Sequence, residues 1–357
     1  MTFLIRTIAI LSFLLLPAAL FALHNPVIHE GDIDGAPFKI VVPQSYESGN
    51  VFIHVHGWRP ADAPHEADLN LEDPFYKYLI ESGWVIGRTA FQENGVDHDA
   101  HTEELSKLRN KIEELTGSIN LLIMEGESTA GTLVLRIAEQ QPELADGVIA
   151  KGAFIDLNDP TQDSYLLATP KIPSVLMSNL TELDGPISFA AAANSNSAPI
   201  LPSLRPLLRP GHVNVNWVER KDAVDELVSW IQDGIYHPVT DGTRTVPERN
   251  TGTETAGDFI ANRVTSVDRF FGNATLGFHP DELSNAGITQ GSTFILAVGG
   301  QQRNVFYGQS YGDVPHGEWI AFPRSDDQIL IARNHESAIA TANLSEGDRV
   351  RIKPITD

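Results

Sequence analysis

The sequence contains no cysteine. That absence removes disulfides, cysteine zinc sites, iron–sulfur ligation and thiol nucleophiles together. Positive charge is scarce as well: 25 Lys and Arg stand against 47 Asp and Glu in 357 residues, a formal charge of −22. A surface of that sign repels a phosphate backbone, so nucleic acid is excluded as the main partner. Long apolar runs are missing too. The one at residues 7–16 falls short of the roughly 20 residues a spanning helix needs. Arg6 precedes it, and Pro17 and small residues up to Ala22 follow. That order reads as a secretory signal peptide over residues 1–22, cleaved near Ala22. The mature chain is therefore expected to be exported, periplasmic or secreted, with no stable membrane insertion after cleavage. The length suggests two domains, and 42% hydrophobic residues can supply their cores without disulfides.

Over residues 23–234 short apolar runs alternate with helical patterns. Five runs, at 51–55, 84–88, 120–124, 147–150 and 174–177, are apolar throughout, as a parallel sheet covered on both faces requires. Leu105, Leu108, Ile112 and Leu115 recur at helical spacing, Asp99 or Thr102 can cap that helix, and Gly117 ends it. The fold class expected is α/β, a doubly wound, mostly parallel sheet. Residues 235–258 are rich in Pro, Gly and Thr and read as a linker or loosely packed connection. Residues 259–357 show short strands with regular turn signals, the pattern of a smaller all-β barrel or sandwich.

The third run leads directly into Gly126-Glu127-Ser128-Thr129-Ala130-Gly131, and a helix over residues 133–140 follows. A serine between tiny residues at a strand-to-helix turn is lifted out at the carboxyl edge of the sheet, the arrangement of a nucleophile. The first run ends in His54-Val55-His56-Gly57-Trp58, where the backbone amides of Trp58 and Thr129 can face a developing oxyanion. His212, in Arg209-Pro210-Gly211-His212, follows Ser128 by 84 residues and precedes a closing helix over 219–231. The orienting acid should follow the fifth strand, where Glu182 and Asp184 both stand; spacing favours Glu182. Ser128 could instead be an ordinary helix N-cap. His54 reads as a satisfied core residue. Asp97, His98, Asp99 and His101 fit a solvated helix start better than a metal site. This chemistry calls for no cofactor and no metal.

With Gly83-Trp84-Val85-Ile86-Gly87, Asn94-Gly95 and Arg209-Pro210-Gly211-His212 added to the serine turn, residues 36–234 resemble an α/β-hydrolase of the secreted bacterial esterase-like kind. The family pattern has glycine where Ala130 stands. The resemblance implies a serine hydrolase acting on a small-molecule ester or an amide, with a short lid. A second resemblance covers residues 260–354. Val267-Asp268-Arg269-Phe270-Phe271-Gly272-Asn273, residues 311–318, Ile331-Ala332-Arg333-Asn334 and residues 344–350 are similar to blocks of the C-terminal domain of S-adenosylmethionine hydroxide adenosyltransferases and fluorinases. It implies an adenosine-type ligand, with Asp268, Phe271 and Asn273 at the ribose and base, Tyr311 against the base, Ser325 near the amino-acid end and Arg333 at the adenine edge. Asp326 replaces the arginine that would hold the methionine carboxylate, and the family's N-terminal half is replaced by the hydrolase-like domain. The leading expectation is an exported serine hydrolase with Ser128, His212 and Glu182 or Asp184. Nucleoside binding or adenosyl processing through the second domain, and a non-catalytic binding protein on a hydrolase scaffold, are the alternatives.

Overall fold

The computed structural model describes residues 25–46 and 49–355, so the signal-peptide reading lies outside the described residues. A hairpin opens the first domain, β1 (Val27–Ile33) and β2 (Ala36–Val42). The chain continues through β3 (Asn50–Val55), α1 (Pro74–Glu81), β4 (Val85–Thr89), α2 (His98–Thr116), β5 (Leu121–Glu127) and α3 (Thr129–Gln140). It then runs through β6 (Gly147–Lys151), β7 (Ser174–Asn179), α4 (Asp184–Ser195), β8 (Ser203–Leu207) and α5 (Trp217–Asp233). These strands form one eight-stranded sheet in the order β1-β2-β4-β3-β5-β6-β7-β8. Strands β3 to β8 pair in parallel, and β2 joins both β1 and β4 antiparallel. The five apolar runs are the five buried strands β3 to β7. They carry side chains into a core on each face: Ile53, Met124 and Val148 on one, Phe52, Ile123 and Ile149 on the other. Such burial of both faces is what keeps a parallel sheet stable.

Three boundaries differ from expectation. Helix α2 is capped by Asp97, whose carboxylate accepts from the Ala100 amide at 3.0 Å, not by Asp99 or Thr102. The Thr102 hydroxyl is turned inward and donates to the His98 carbonyl at 2.6 Å. Helix α3 begins at Thr129, four residues before the apolar periodicity does, because the serine turn feeds straight into it. The segment after α5 is no loose connection. Val239 bridges Leu204 of β8, and the Thr240 and Gly242 amides donate to the Leu204 and Pro206 carbonyls at 2.9 and 3.0 Å. Further on, the Arg249 guanidinium donates to the Gly277 and Asp327 carbonyls of the second domain.

The second domain comprises β9 (Glu254–Ala256), β10 (Phe259–Asp268), β11 (Asn273–Leu276), α6 (Pro280–Asn285), β12 (Thr293–Val298), β13 (Gln301–Tyr307), β14 (Trp319–Pro323), β15 (Ile329–Arg333), α7 (Ala338–Ala342) and β16 (Arg349–Pro354). The pairing β11-β15-β14-β13-β12-β16-β10 closes on itself through β10 and β11, a seven-stranded barrel with β9 appended at β10. Phe278, Phe294, Leu296, Val305 and Ile331 fill it. Closure removes the exposed strand edges an open sheet of this size would leave. Among the described residues, no helix is long and apolar enough to cross a membrane.

Candidate active site

The turn after β5 explains its own sequence. A Cβ on Gly126 would lie 2.1 Å from the Ala130 carbonyl oxygen, so only glycine fits there. Ala130 is buried, and a Cβ on Gly131 would press on Ala153 at 3.0 Å. Ser128 sits at φ 57°, ψ −123°, a left-handed conformation that non-glycine residues adopt only when the surroundings impose it. Its side chain makes no capping hydrogen bond to α3, so the N-cap role does not apply. The Ser128 Oγ lies 2.9 Å from His212 Nε2 instead.

His212 hangs from an irregular loop that is tied down on both sides. The Asn214 amide donates to Asn179 Oδ1 at 2.9 Å at the end of β7. The Arg209 guanidinium donates to the Asn214 carbonyl and pairs with the fully buried Glu219 of α5. The Thr181 hydroxyl donates to the Gly211 carbonyl at 2.9 Å. This last bond joins the histidine loop to the 3₁₀ turn Leu180–Glu182. From that turn Glu182 reaches the His212 Nδ1 with Oε1. Asp184 is instead the first residue of α4. Of the two acids open to the sequence, Glu182 is the one brought to His212. Its second oxygen, Oε2, is buried without a partner among the described residues, 3.2 Å from where a Cβ on Gly152 would stand. Gly152, at φ 54°, is thereby required on two counts. The Phe154 ring stacks on His212 at 5.3 Å, a contact with no signal in the sequence.

On the other side of Ser128, the His56 Nδ1 donates to the Gly57 carbonyl at 2.7 Å. A Cβ on Gly57 would come within 3.0 Å of the Ser128 Cβ, so the chain passes in contact with the serine before Trp58. Below lies a charged layer that sequence reading missed, although Glu125 and Lys151 are its visible signs inside apolar strands. Glu125 is bound by the Arg220 guanidinium at 2.5 Å and by Lys151 at 3.2 Å; Lys151 also reaches Glu127 at 3.4 Å. Burial opposes the Glu125 charge, but Arg220 and Lys151 outweigh it and hold the carboxyl below its ordinary value. His54, packed against this layer, accepts from the Tyr76 hydroxyl at 2.5 Å. Burial first, then the Arg88, Lys151 and Arg220 charges, push its pKa far down, so it stays neutral.

These histidines tie stability to pH. Burial lowers the His101 pKa to about 4. The unfolded chain, with histidine near 6.5, takes up protons that the folded chain refuses. Stability is therefore lost as pH falls from about 6.5 towards 4, by up to about 1.4 kcal/mol per unit at this one residue. His101 stacks flat on Phe91 at 3.9 Å, a packing that phenylalanine can keep. Urea unfolding at pH 7, 6 and 5 should show the fall, with a shallower slope in His101→Phe; identical slopes would remove His101 as a contributor.

In the barrel, Asp268 accepts from the Phe270 and Phe271 amides at 2.8 and 3.2 Å, and burial raises its pKa. The Asn273 side chain donates to the Tyr311 hydroxyl at 2.7 Å, and Tyr311 is pushed up to about 12 by burial and by Asp268. Asp268, Phe271, Asn273 and Tyr311 thus form one group. Ser325 stands at the domain junction: its amide donates to Asn214 Oδ1 at 2.8 Å and its carbonyl accepts from Asn216 at 3.1 Å. Arg333 is engaged by the Gly317 carbonyl at 2.6 Å and by Glu336. The barrel loop at 268–271 also meets the segment after β3. The Arg59 guanidinium lies 3.6 Å over the Phe270 ring, Arg269 pairs with Glu66 at 2.5 Å, and the Phe271 and Trp58 rings are 6.4 Å apart.

Residues 262–351 match the model of the SAM hydroxide adenosyltransferase C-terminal domain family. No curated protein matches the chain. Among solved structures, an uncharacterized conserved protein from Thermotoga maritima is 26% identical over 26% of this chain and 35% of its own, with a TM-score of 0.25. The 2,6-dihydroxy-pseudo-oxynicotine hydrolase is 16% identical over 61% of this chain and 71% of its own, TM-score 0.43. The Pyrococcus horikoshii acylaminoacyl peptidase is 15% identical over 52% and 37%, TM-score 0.39. The chain spans about a third of the length of the Thermotoga maritima protein and of the peptidase. By its own strand order, antiparallel β2 and serine turn after β5, the first domain has the α/β-hydrolase fold. A SAM hydroxide adenosyltransferase C-terminal-type barrel is fused to it.

Proposed function

We propose that the protein is a serine hydrolase that cleaves a carboxylic ester by acyl transfer. The observation that carries this reading is the pairing of the Ser128 Oγ with His212 Nε2 at 2.9 Å, on a left-handed turn, with Glu182 on the far nitrogen of the same imidazole. Neutral His212 takes the Ser128 proton as Oγ bonds to the carbonyl carbon. The imidazolium then returns that proton to the departing alkoxide, leaving an acyl-serine and a free alcohol. Water adds to the acyl-serine by the same proton route, releasing the acid and restoring Ser128. Glu182 fixes the tautomer with the proton on Nδ1, and the Trp58 and Thr129 amides stabilise the oxyanion. The pattern at residues 1–22 supports export. Labelling by a fluorophosphonate, abolished in Ser128→Ala, is the test; an unlabelled wild-type protein would leave a binding protein on a hydrolase scaffold.

A second reading, binding of an adenosine-type ligand by the barrel, is favoured by one observation besides the family match. Asn273 is buried beside Tyr311 with its Oδ1 unpartnered among the described residues, a polar atom suited to a ligand donor. Adenosine at millimolar concentration should then raise the melting temperature by mass action, and no shift would leave the barrel as a scaffold.

A further inference from the structure

Three aromatic rings stand about half exposed around Ser128: Trp58 at 46%, Phe271 at 48% and Phe154 at 49%. They flank the serine from opposite sides. Trp58 follows β3, which lies on one side of β5, and Phe271 of the barrel packs beside it at 6.4 Å with a tilt of 39°. Phe154 follows β6, on the other side of β5, and stacks on His212. The proton from His212 must reach the leaving oxygen, so the alcohol part of an ester lies on the His212 side. The oxyanion points to the backbone amides of Trp58 and Thr129, which leaves the acyl part beside the Trp58 and Phe271 rings.

We propose that Trp58 and Phe271, one ring from each domain, form the acyl-binding wall of the site, and that this wall accepts an uncharged aromatic acyl group. The proposal rests on the serine-hydrolase reading above. At 6.4 Å the two rings are too close for a third to slide between them, so they present one angled face on which a planar group can lie. The wall is held before substrate arrives. The Phe271 amide is fixed by Asp268 at 3.2 Å, Phe270 lies under the buried Arg59, and Arg269 pairs with Glu66. Asp68 is already paired with Arg59 and Arg88, and Glu127 with Lys151, so these cations are engaged and not free to hold a carboxylate on the acyl group. Large apolar rings left in water at a site mouth are the usual mark of a surface meant for an apolar ligand.

The test compares 4-nitrophenyl benzoate with 4-nitrophenyl butyrate, which share a leaving group and differ only in the acyl part. Phe271→Ala should lower the benzoate-to-butyrate ratio of kcat/KM by about tenfold, the size of a lost ring–ring contact. Phe271→Tyr should restore it. An unchanged ratio, or the same loss for both esters, would overturn the proposal and leave Phe271 a structural residue. If the wild-type protein turns over neither ester, the serine-hydrolase reading fails on its own. Calorimetric binding of methyl benzoate then decides the wall: weakening of about tenfold in Phe271→Ala supports it, and equal affinity overturns it.

Discussion

Ser128→Ala should reduce ester hydrolysis by on the order of 10⁶-fold while leaving the protein folded. The size follows from the way nucleophile and base act as a unit. Without the Oγ, the imidazole at 2.9 Å has no proton to take, and what remains is whatever the oxyanion donors and substrate positioning supply to a direct attack by water. The fold should survive because the hydroxyl does not cap α3, and the turn is imposed by Gly126, Ala130 and Gly131 packed beneath it. Steady-state kinetics beside a thermal melt separates the two effects. Turnover near the wild-type level in a folded Ser128→Ala protein would remove the serine from the mechanism.

Glu182→Gln should cost about 10⁴ in kcat, with Asp184→Asn close to the wild type. An amide in place of Glu182 can offer Nδ1 a donor, which favours the tautomer with its proton on Nε2, and that nitrogen can no longer accept from Ser128. Asp184 has no such leverage, because it opens α4 and its neighbour-but-one, not its own side chain, meets the imidazole. A severe Asp184→Asn and a mild Glu182→Gln, measured on the same ester, would reverse the assignment.

Much of this is legible in the sequence, and what is not has physical causes. The serine turn announces itself because steric crowding at 2.1 Å leaves Gly126 no alternative. The five central strands are legible because burial on both faces demands unbroken apolar runs. Strand β1 was missed for the opposite reason: it lies at a sheet edge, largely exposed, and Val27-Ile28-His29-Glu30-Gly31-Asp32-Ile33 carries no clean alternation. Strand β8 was hidden by Arg205 and Pro206, tolerated because Arg205 is buried against Glu226. Spacing favours Glu182 over Asp184 but leaves both open, because two residues apart the chain passes from a 3₁₀ turn into α4 and the side chains leave in different directions. The pairing of Trp58 with Phe271 is a product of domain docking, to which neither local propensity nor periodicity refers.

The segment after α5 sets where the first domain ends. Strand β8 is the last of its sheet, and its outer edge receives the Thr240 and Gly242 amides, with the Thr243 hydroxyl accepting from the Leu208 amide at 2.7 Å. A chain cut after Gly234, where the last helix stops, would strip that edge and leave its carbonyls and amides free to recruit strands from other molecules. The stretch that looks most dispensable in composition thus covers the outer edge of β8, and a chain shortened before it should self-associate where the full chain does not.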